Sequence, residues 1–236
     1  MDQMGKLVRN YNSDRSCTSM PQPIVISLFD FTCNMVAPWA EVGFLCYCVD
    51  LKHPARERRE GNIVRVGANV AEWLPPYAAV KILFAFPPCT HVAASGARWF
   101  KDKGLGALTE SLRLFDASVR LAEWTGAPYM IENPVSTVSS YWRKPDQTFH
   151  PCAYGGYLRP PSDAYTKRTC LWTGNDFVMP KAKPVKPIEG SKMHRLSPSN
   201  HRAAIRSATP EGFARAVFEA NANRCSQKLK SSLGKN

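Results

Sequence analysis

Three short stretches of this 236-residue chain carry side chains suited to covalent or acid–base chemistry, and each follows an apolar run. Cys89 stands in "FPPCTH", directly after "AVKILFA". Pro87 and Pro88 cannot donate to a strand ladder, so the strand ends before them and Cys89 falls where a strand enters a loop. A thiolate there is a nucleophile; the plainer alternative is a structural cysteine, a residue type often buried for packing alone. Glu132 stands in "IENP" after "PYMI", where a carboxyl beside apolar walls can hold a proton and act as an acid, or simply be a solvated loop residue. Asp50 ends "FLCYCVD", a position from which an acid can hydrogen-bond ribose hydroxyls, although turns favour Asp for their own reasons.

These residues need a scaffold, and the hydrophobic pattern supplies one. Apolar runs at 24–29, 44–50, 63–66, 79–85 and 128–131 read as buried strands. Between them, "MVAPWAEVG" reads as a short helix ended by Gly43, "LKHPARERREGN" as a charged loop and "NVAEWLPPY" as a helical turn stopped by prolines. The longest helix is expected over 105–126: Leu105, Leu108, Leu112, Phe115, Val119 and Ala122 recur at three- and four-residue steps, and Gly126 supplies the stop. Strands alternating with helices predict an α/β fold of the Rossmann-like, doubly wound type with a mostly parallel sheet, in which ligands sit at the carboxyl ends of the strands. No G-x-G-x-x-G follows the first strand, so a dinucleotide cofactor is not indicated.

The expected organisation is a disordered arm over 1–22, one catalytic domain over 23–222 and a basic tail over 223–236. Within the domain, 134–200 reads as irregular and rich in proline, glycine and aromatics, with one strand at 169–172 and a linker-like "AKPVKPI". A C-terminal helix is expected over 209–222, with Thr209 as its N-cap and Pro210 in its first turn.

Lys and Arg exceed Asp and Glu by 31 to 19, a formal net charge of +12, which points to a polyanionic partner, most often nucleic acid. Basic residues cluster at Arg56, Arg58 and Arg59, at Lys181, Lys183 and Lys186, and at Lys228 and Lys230. No run reaches transmembrane length, and the polar start does not read as a signal peptide. The eight cysteines are therefore expected to be reduced thiols of a cytoplasmic protein. Their spacing lacks the paired pattern of a structural zinc site, so no metal is expected, and Cys46 and Cys48 read as core.

The series "LFDFTCNMVAPWAEVGFLCYCVD", "FPPCTHVAASG" and "IENP" resembles, in order and spacing over residues 24–135, the motifs of DNA (cytosine-5) methyltransferases. The stretches "KPDQTFHPCAYGGY…TKRTCLWTG" and "ATPEGFARAVFEAN" resemble a compact branch common in phages, which would place the protein in a bacterial host cytosol. The resemblance implies S-adenosyl-L-methionine as cofactor, DNA as partner and methyl transfer to C5 of cytosine through a covalent cysteine adduct at C6. Carried over residue by residue, it makes Cys89 the nucleophile, Glu132 the acid at N3, and Lys167 or Arg168 the loose match to a catalytic arginine, Arg168 being the residue taken. Phe29, Asp30, Thr32, Asn34, Asp50, Asn69 and Pro87 would line the cofactor site. Cys33 stands where the family has a glycine, Asn69 where it has an acid, and the large target-recognition domain is missing. Two alternatives stand beside methyl transfer to DNA: C5 modification of a free pyrimidine nucleotide, and nucleic-acid binding without catalysis.

Overall fold

The apolar runs of the N-terminal half become parallel strands: β1 (Ile24–Leu28), β2 (Cys46–Val49), β4 (Ile63–Val66) and β5 (Val80–Ala85), joined by β6 (Tyr129–Pro134). All five residues of β1 are buried, as a central strand covered on both faces requires. The computed structural model describes residues 22–191 and 207–222; the expected arm before residue 22, the tail from 223 and residues 192–206 lie outside that description.

Three further strands escaped the sequence pattern or exceeded it. β3 (Arg58–Glu60), expected as loop, pairs antiparallel with β4 across the tight turn Gly61–Asn62, and Gly61 adopts φ 58° there. Its three exposed, charged residues carry no apolar alternation to read. β7 (Gln147–Phe149) buries only Phe149. β8 (Thr169–Gly174) runs antiparallel to both β6 and β7. The sheet order is β3-β4-β2-β1-β5-β6-β8-β7. The chain thus steps outward from β1 through β2 to β4, then returns to β5 on the other side. Strand order reverses between β1 and β5, which is the topological switch point of a doubly wound sheet. The protein is α/β with a mostly parallel mixed sheet, compatible with a Rossmann-like fold.

Helices cover both faces. α1 (Ala37–Glu41) and α4 (Glu211–Asn221) bury Trp39, Phe213 and Val217 against Val25, Phe84 and Met130. α2 (Phe100–Thr125) buries Phe115 and Ala122 on the opposite face, where Phe115 meets Trp172 edge-on at 5.3 Å. Gly126 ends α2 in the left-handed conformation, as expected. Leu105, expected in the apolar stripe, is instead exposed, because Gly104 breaks the helix just before it with φ 73° and ψ 179°. α3 (Val138–Tyr141) is a single turn after β6. Thr209 is not the cap of α4: Pro210 is extended at ψ 129°, the helix starts at Glu211, and the Gly212 amide donates to Asp163 at 2.8 Å. No helix among the described residues is long and apolar enough to cross a membrane.

Candidate functional site

The carboxyl ends of β1, β2, β5 and β6 bring together most of the residues singled out from sequence. After β1, Phe29 and Cys33 both take left-handed backbone, at φ 57° and 60°, so the loop curls tightly on itself. Asp30 holds the curl. It is buried and accepts hydrogen bonds from the Ser27 hydroxyl at 2.8 Å, the Thr32 hydroxyl at 3.0 Å and the Cys33 amide at 2.8 Å. Burial raises its pKa above the ordinary carboxylate value of 3.8, with the Asp50 charge adding to the rise and the three hydrogen bonds opposing it. Asn34 ties the loop to the lead-in of α4 by donating to the Thr209 carbonyl at 3.2 Å.

Cys33 occupies its glycine-like conformation without filling the crevice. Its thiol is buried, accepts a hydrogen bond from the Arg65 guanidinium at 3.0 Å and faces Cys48. Cys46 and Cys48 are both fully buried, in agreement with the core reading; burial pushes the Cys46 thiol up to about 12 and, with the Cys33 contact, raises Cys48 well above its ordinary value. Asp50 follows β2 and accepts the Lys52 amide at 2.8 Å, closing its own turn. The next residues fold over the crevice rim: His53 is buried with Nε2 at 3.2 Å from the Asp30 carbonyl, and its ring lies 5.3 Å from that of Phe31. Asn69 is spent on its own turn, with its amide donating to Glu72 at 2.7 Å and its oxygen accepting the Ala71 amide at 3.1 Å.

On the other side of the switch point, Asn133 fastens the Cys89 loop. It is buried at the end of β6 and donates to the Pro87 carbonyl at 2.9 Å. Downstream of Cys89, the Ala94 amide donates to Val135 and the Thr137 amide to Val92, so the loops after β5 and β6 are laced together. Cys89 is half-buried and outside any disulfide, beside the apolar cluster of the α2 face. Glu132 extends from the α4 face, 3.5 Å from the Lys167 ammonium, each side chain 16% exposed. The two reach the same edge from opposite faces of the sheet, so only a group bound at that edge touches both.

Arg168, taken from sequence as the catalytic arginine, is exposed and is not the partner of Glu132. Successive residues of an extended chain point to opposite faces, and Lys167 shares its face with Thr169 and Leu171, across from Glu132. Lys167, the alternative not taken, and Asn133, to which sequence reasoning gives no role, are the further functional candidates. The "ENP" motif placed Asn133 correctly, but its bond to Pro87, 46 residues away, has no local signal. No group of three or more His, Cys, Asp or Glu among the described residues is arranged to hold a metal. Compared with known proteins, the chain matches no protein-family model and no curated sequence.

Proposed function

We propose that the protein modifies C5 of a cytosine in nucleic acid by methyl transfer from S-adenosyl-L-methionine, DNA being the expected substrate. The observation that carries this reading is the convergence at one sheet edge: Asp50 after β2, Cys89 after β5 and Glu132 in β6, flanking the reversal between β1 and β5. The cofactor fits the residues present at two of its three parts. The curled loop from Phe29 to Asn34 offers a closely approachable backbone to the methionine end, because the Cys33 side chain turns inward to Arg65. Asp50 is positioned for the ribose. Asn69 serves the adenine only by giving up the bonds of its own turn. When bound, S-adenosyl-L-methionine supplies an electrophilic methyl group.

The chain's own residues then have defined tasks. The Cys89 thiolate adds to C6 of the ring and pushes electron density onto C5, while Glu132 protonates N3. C5 takes the methyl group and gives its proton to water, Cys89 leaves as the thiolate while C5–C6 unsaturation returns, and N3 hands its proton back to Glu132. Lys167, beside Glu132, balances the negative charge that the carboxyl acquires once its proton has passed to N3. Pro87, buried and held by Asn133, fixes the height at which Cys89 enters. A base in a duplex must be turned out of the stack to meet these groups.

The deciding experiment measures 5-methylcytosine by nucleoside mass spectrometry in DNA incubated with the protein and S-adenosyl-L-methionine, beside a parallel incubation with free deoxycytidine nucleotide. Modified DNA is the expected result; modification of the nucleotide alone moves the substrate off DNA. The engaged Asn69 favours a second reading, nucleic-acid binding without catalysis, which predicts no thermal shift with the cofactor or its demethylated product.

A further inference from the structure

Beside the Cys89 loop lies a cavity of about 330 Å³ that the reading above does not use. It is bounded by His91 from that loop, by the first two turns of α2 and by Thr137 and Tyr141 around α3. The break at Gly104 separates Phe100–Lys103 from the body of α2, and residues from both sides of the break line the space. Its walls are of two kinds. Phe100, Leu108 and Tyr141 are aromatic or aliphatic, whereas Lys101 and Lys103 are cationic, and no lining residue among those described is acidic. Lys103 is anchored by donating to the Thr90 carbonyl at 2.7 Å. Two buried polar atoms of lining residues, His91 Nδ1 and Thr137 Oγ1, have no hydrogen-bond partner, and Ser136 Oγ next to them has none either. Buried polar atoms are ordinarily paired, so the loops around the cavity hold hydrogen-bonding capacity that a small turn of the His91 or Thr137 side chain presents to a ligand.

A ligand for this space needs a flat apolar ring with polar edges, and an anion attached to it. That is the description of a nucleotide. We propose that the cavity holds the nucleotide next to the reacting cytosine in a single-stranded stretch of nucleic acid. The base stacks on Tyr141 and turns the His91 and Thr137 side chains toward its edge, and its phosphate lies against Lys101 and Lys103. The cavity adjoins the Cys89 loop through His91, two residues on, which sets the occupant beside the target rather than at a distance. Selection of a neighbouring base by stacking and one or two edge contacts gives a short context preference. This inference rests on the reading of the Cys89 edge as the site of base modification.

The test uses fluorescence anisotropy with a labelled single-stranded hexadeoxynucleotide holding one central cytosine, and matched probes with an abasic site at each flanking position in turn. Tyr141→Ala is expected to weaken binding of the intact probe about fivefold or more. Tyr141 is 63% exposed, so folding should be unaffected, which a melting curve checks. One abasic position should weaken wild-type binding by a similar factor and have no further effect in Tyr141→Ala. Lys101→Gln should lower the log–log salt slope by about one unit. A Tyr141→Ala variant that binds like wild type, or abasic probes that all bind like the intact one, overturns the proposal. Methyl transfer measured on the same probes separates the two readings. Coupled binding losses without any transfer keep the cavity and reject the chemistry; transfer indifferent to both flanking bases keeps the chemistry and rejects the cavity.

Discussion

On the β1–β2–β4 side of the switch point, Asp30 accepts three hydrogen bonds, Asp50 closes its turn on Lys52 and Asn69 has both ends of its amide engaged. On the β5–β6 side, Asn133 Oδ1, His91 Nδ1, Ser136 Oγ and Thr137 Oγ1 are buried with no partner. Among the described residues, the remaining such atom, Trp39 Nε1, lies in α1, the connection from β1 to β2. An unpaired buried polar group costs about 1–3 kcal/mol. The acidic and amide groups at the rim of the first side are therefore engaged by its own chain, with one unpaired buried atom among the described residues against four on the second. The second side carries polar groups whose hydrogen bonding its own fold leaves open, at that cost. Shape is preset where the proposed cofactor sits, and unfinished polar chemistry is concentrated where the proposed substrate sits.

The strongest way to break this contrast is Cys89→Ser. Covalent capture of a 5-fluorocytosine oligonucleotide should disappear on denaturing gels, while the melting temperature and cofactor binding stay as in wild type. A retained adduct places the nucleophile elsewhere. Glu132→Gln keeps the shape and removes the carboxyl proton, so turnover should fall by about a hundred- to ten-thousand-fold. Cofactor affinity, measured by calorimetry, should not follow it; an equal loss there moves Glu132 into the cofactor's half and erases the division.

Asn133→Ala removes the strut between β6 and Pro87. Chemical denaturation should show a loss of about 1 kcal/mol, partly offset because the orphaned oxygen goes as well. The turnover number should drop several-fold, since a loop held less firmly presents Cys89 less often. Unchanged turnover at reduced stability would make Asn133 a packing residue only.

The smallest expected effect is a difference in pH dependence between two aspartates. Asp146 has burial working to raise its pKa, but the Arg143 pair and the Thr173 bonds prevail and hold it below 3.8. Its contribution to stability is present above that value and lost as pH falls through the depressed folded pKa. Asp30 carries the opposite sign. With a raised folded pKa, its contribution is full below 3.8 and lost as pH rises through the folded value. Urea midpoints should therefore show Asp146→Asn flattening the acid limb. Asp30→Asn should give its largest penalty at low pH, where wild type keeps the full Asp30 contribution, and a smaller one above the raised pKa; a penalty that shrinks on acidification contradicts the raised pKa.

The strands and the edge they share were legible because burial imposes a pattern on neighbouring residues. "IVISLF" and "KILFA" must be covered on both faces, and a run of that length says so. The prolines of "FPPC" and the placement of Asp50 at a strand end are equally local signals, whereas Glu132, expected just past its strand, lies inside β6 opposite Leu171. What escaped depends on partners distant in sequence. Lys167 and Arg168 are adjacent basic residues, and only the register of β8 against β6 tells which one meets Glu132. The Thr209 cap failed because Asp163, 49 residues before Gly212, serves the start of α4 instead. Short polar β3 and β7 carry too few buried positions to announce themselves.

The reversed strand β8 also has a consequence for the order in which the protein can fold. β7 has no sheet neighbour except β8, and β6 has only β5 until residues 169–174 arrive. As the chain leaves the ribosome, the five parallel strands can assemble first, with the edge of β6 that carries Glu132 open to any strand that approaches. Closing it joins residues about forty positions apart, a slower event than forming the local turns before it. The Cys89 loop can thus be built before Glu132 receives Lys167. If the strands form in that order, a newly made chain has the proposed nucleophile in place before the Glu132–Lys167 pair forms, and the open edge of β6 is where aggregation would start.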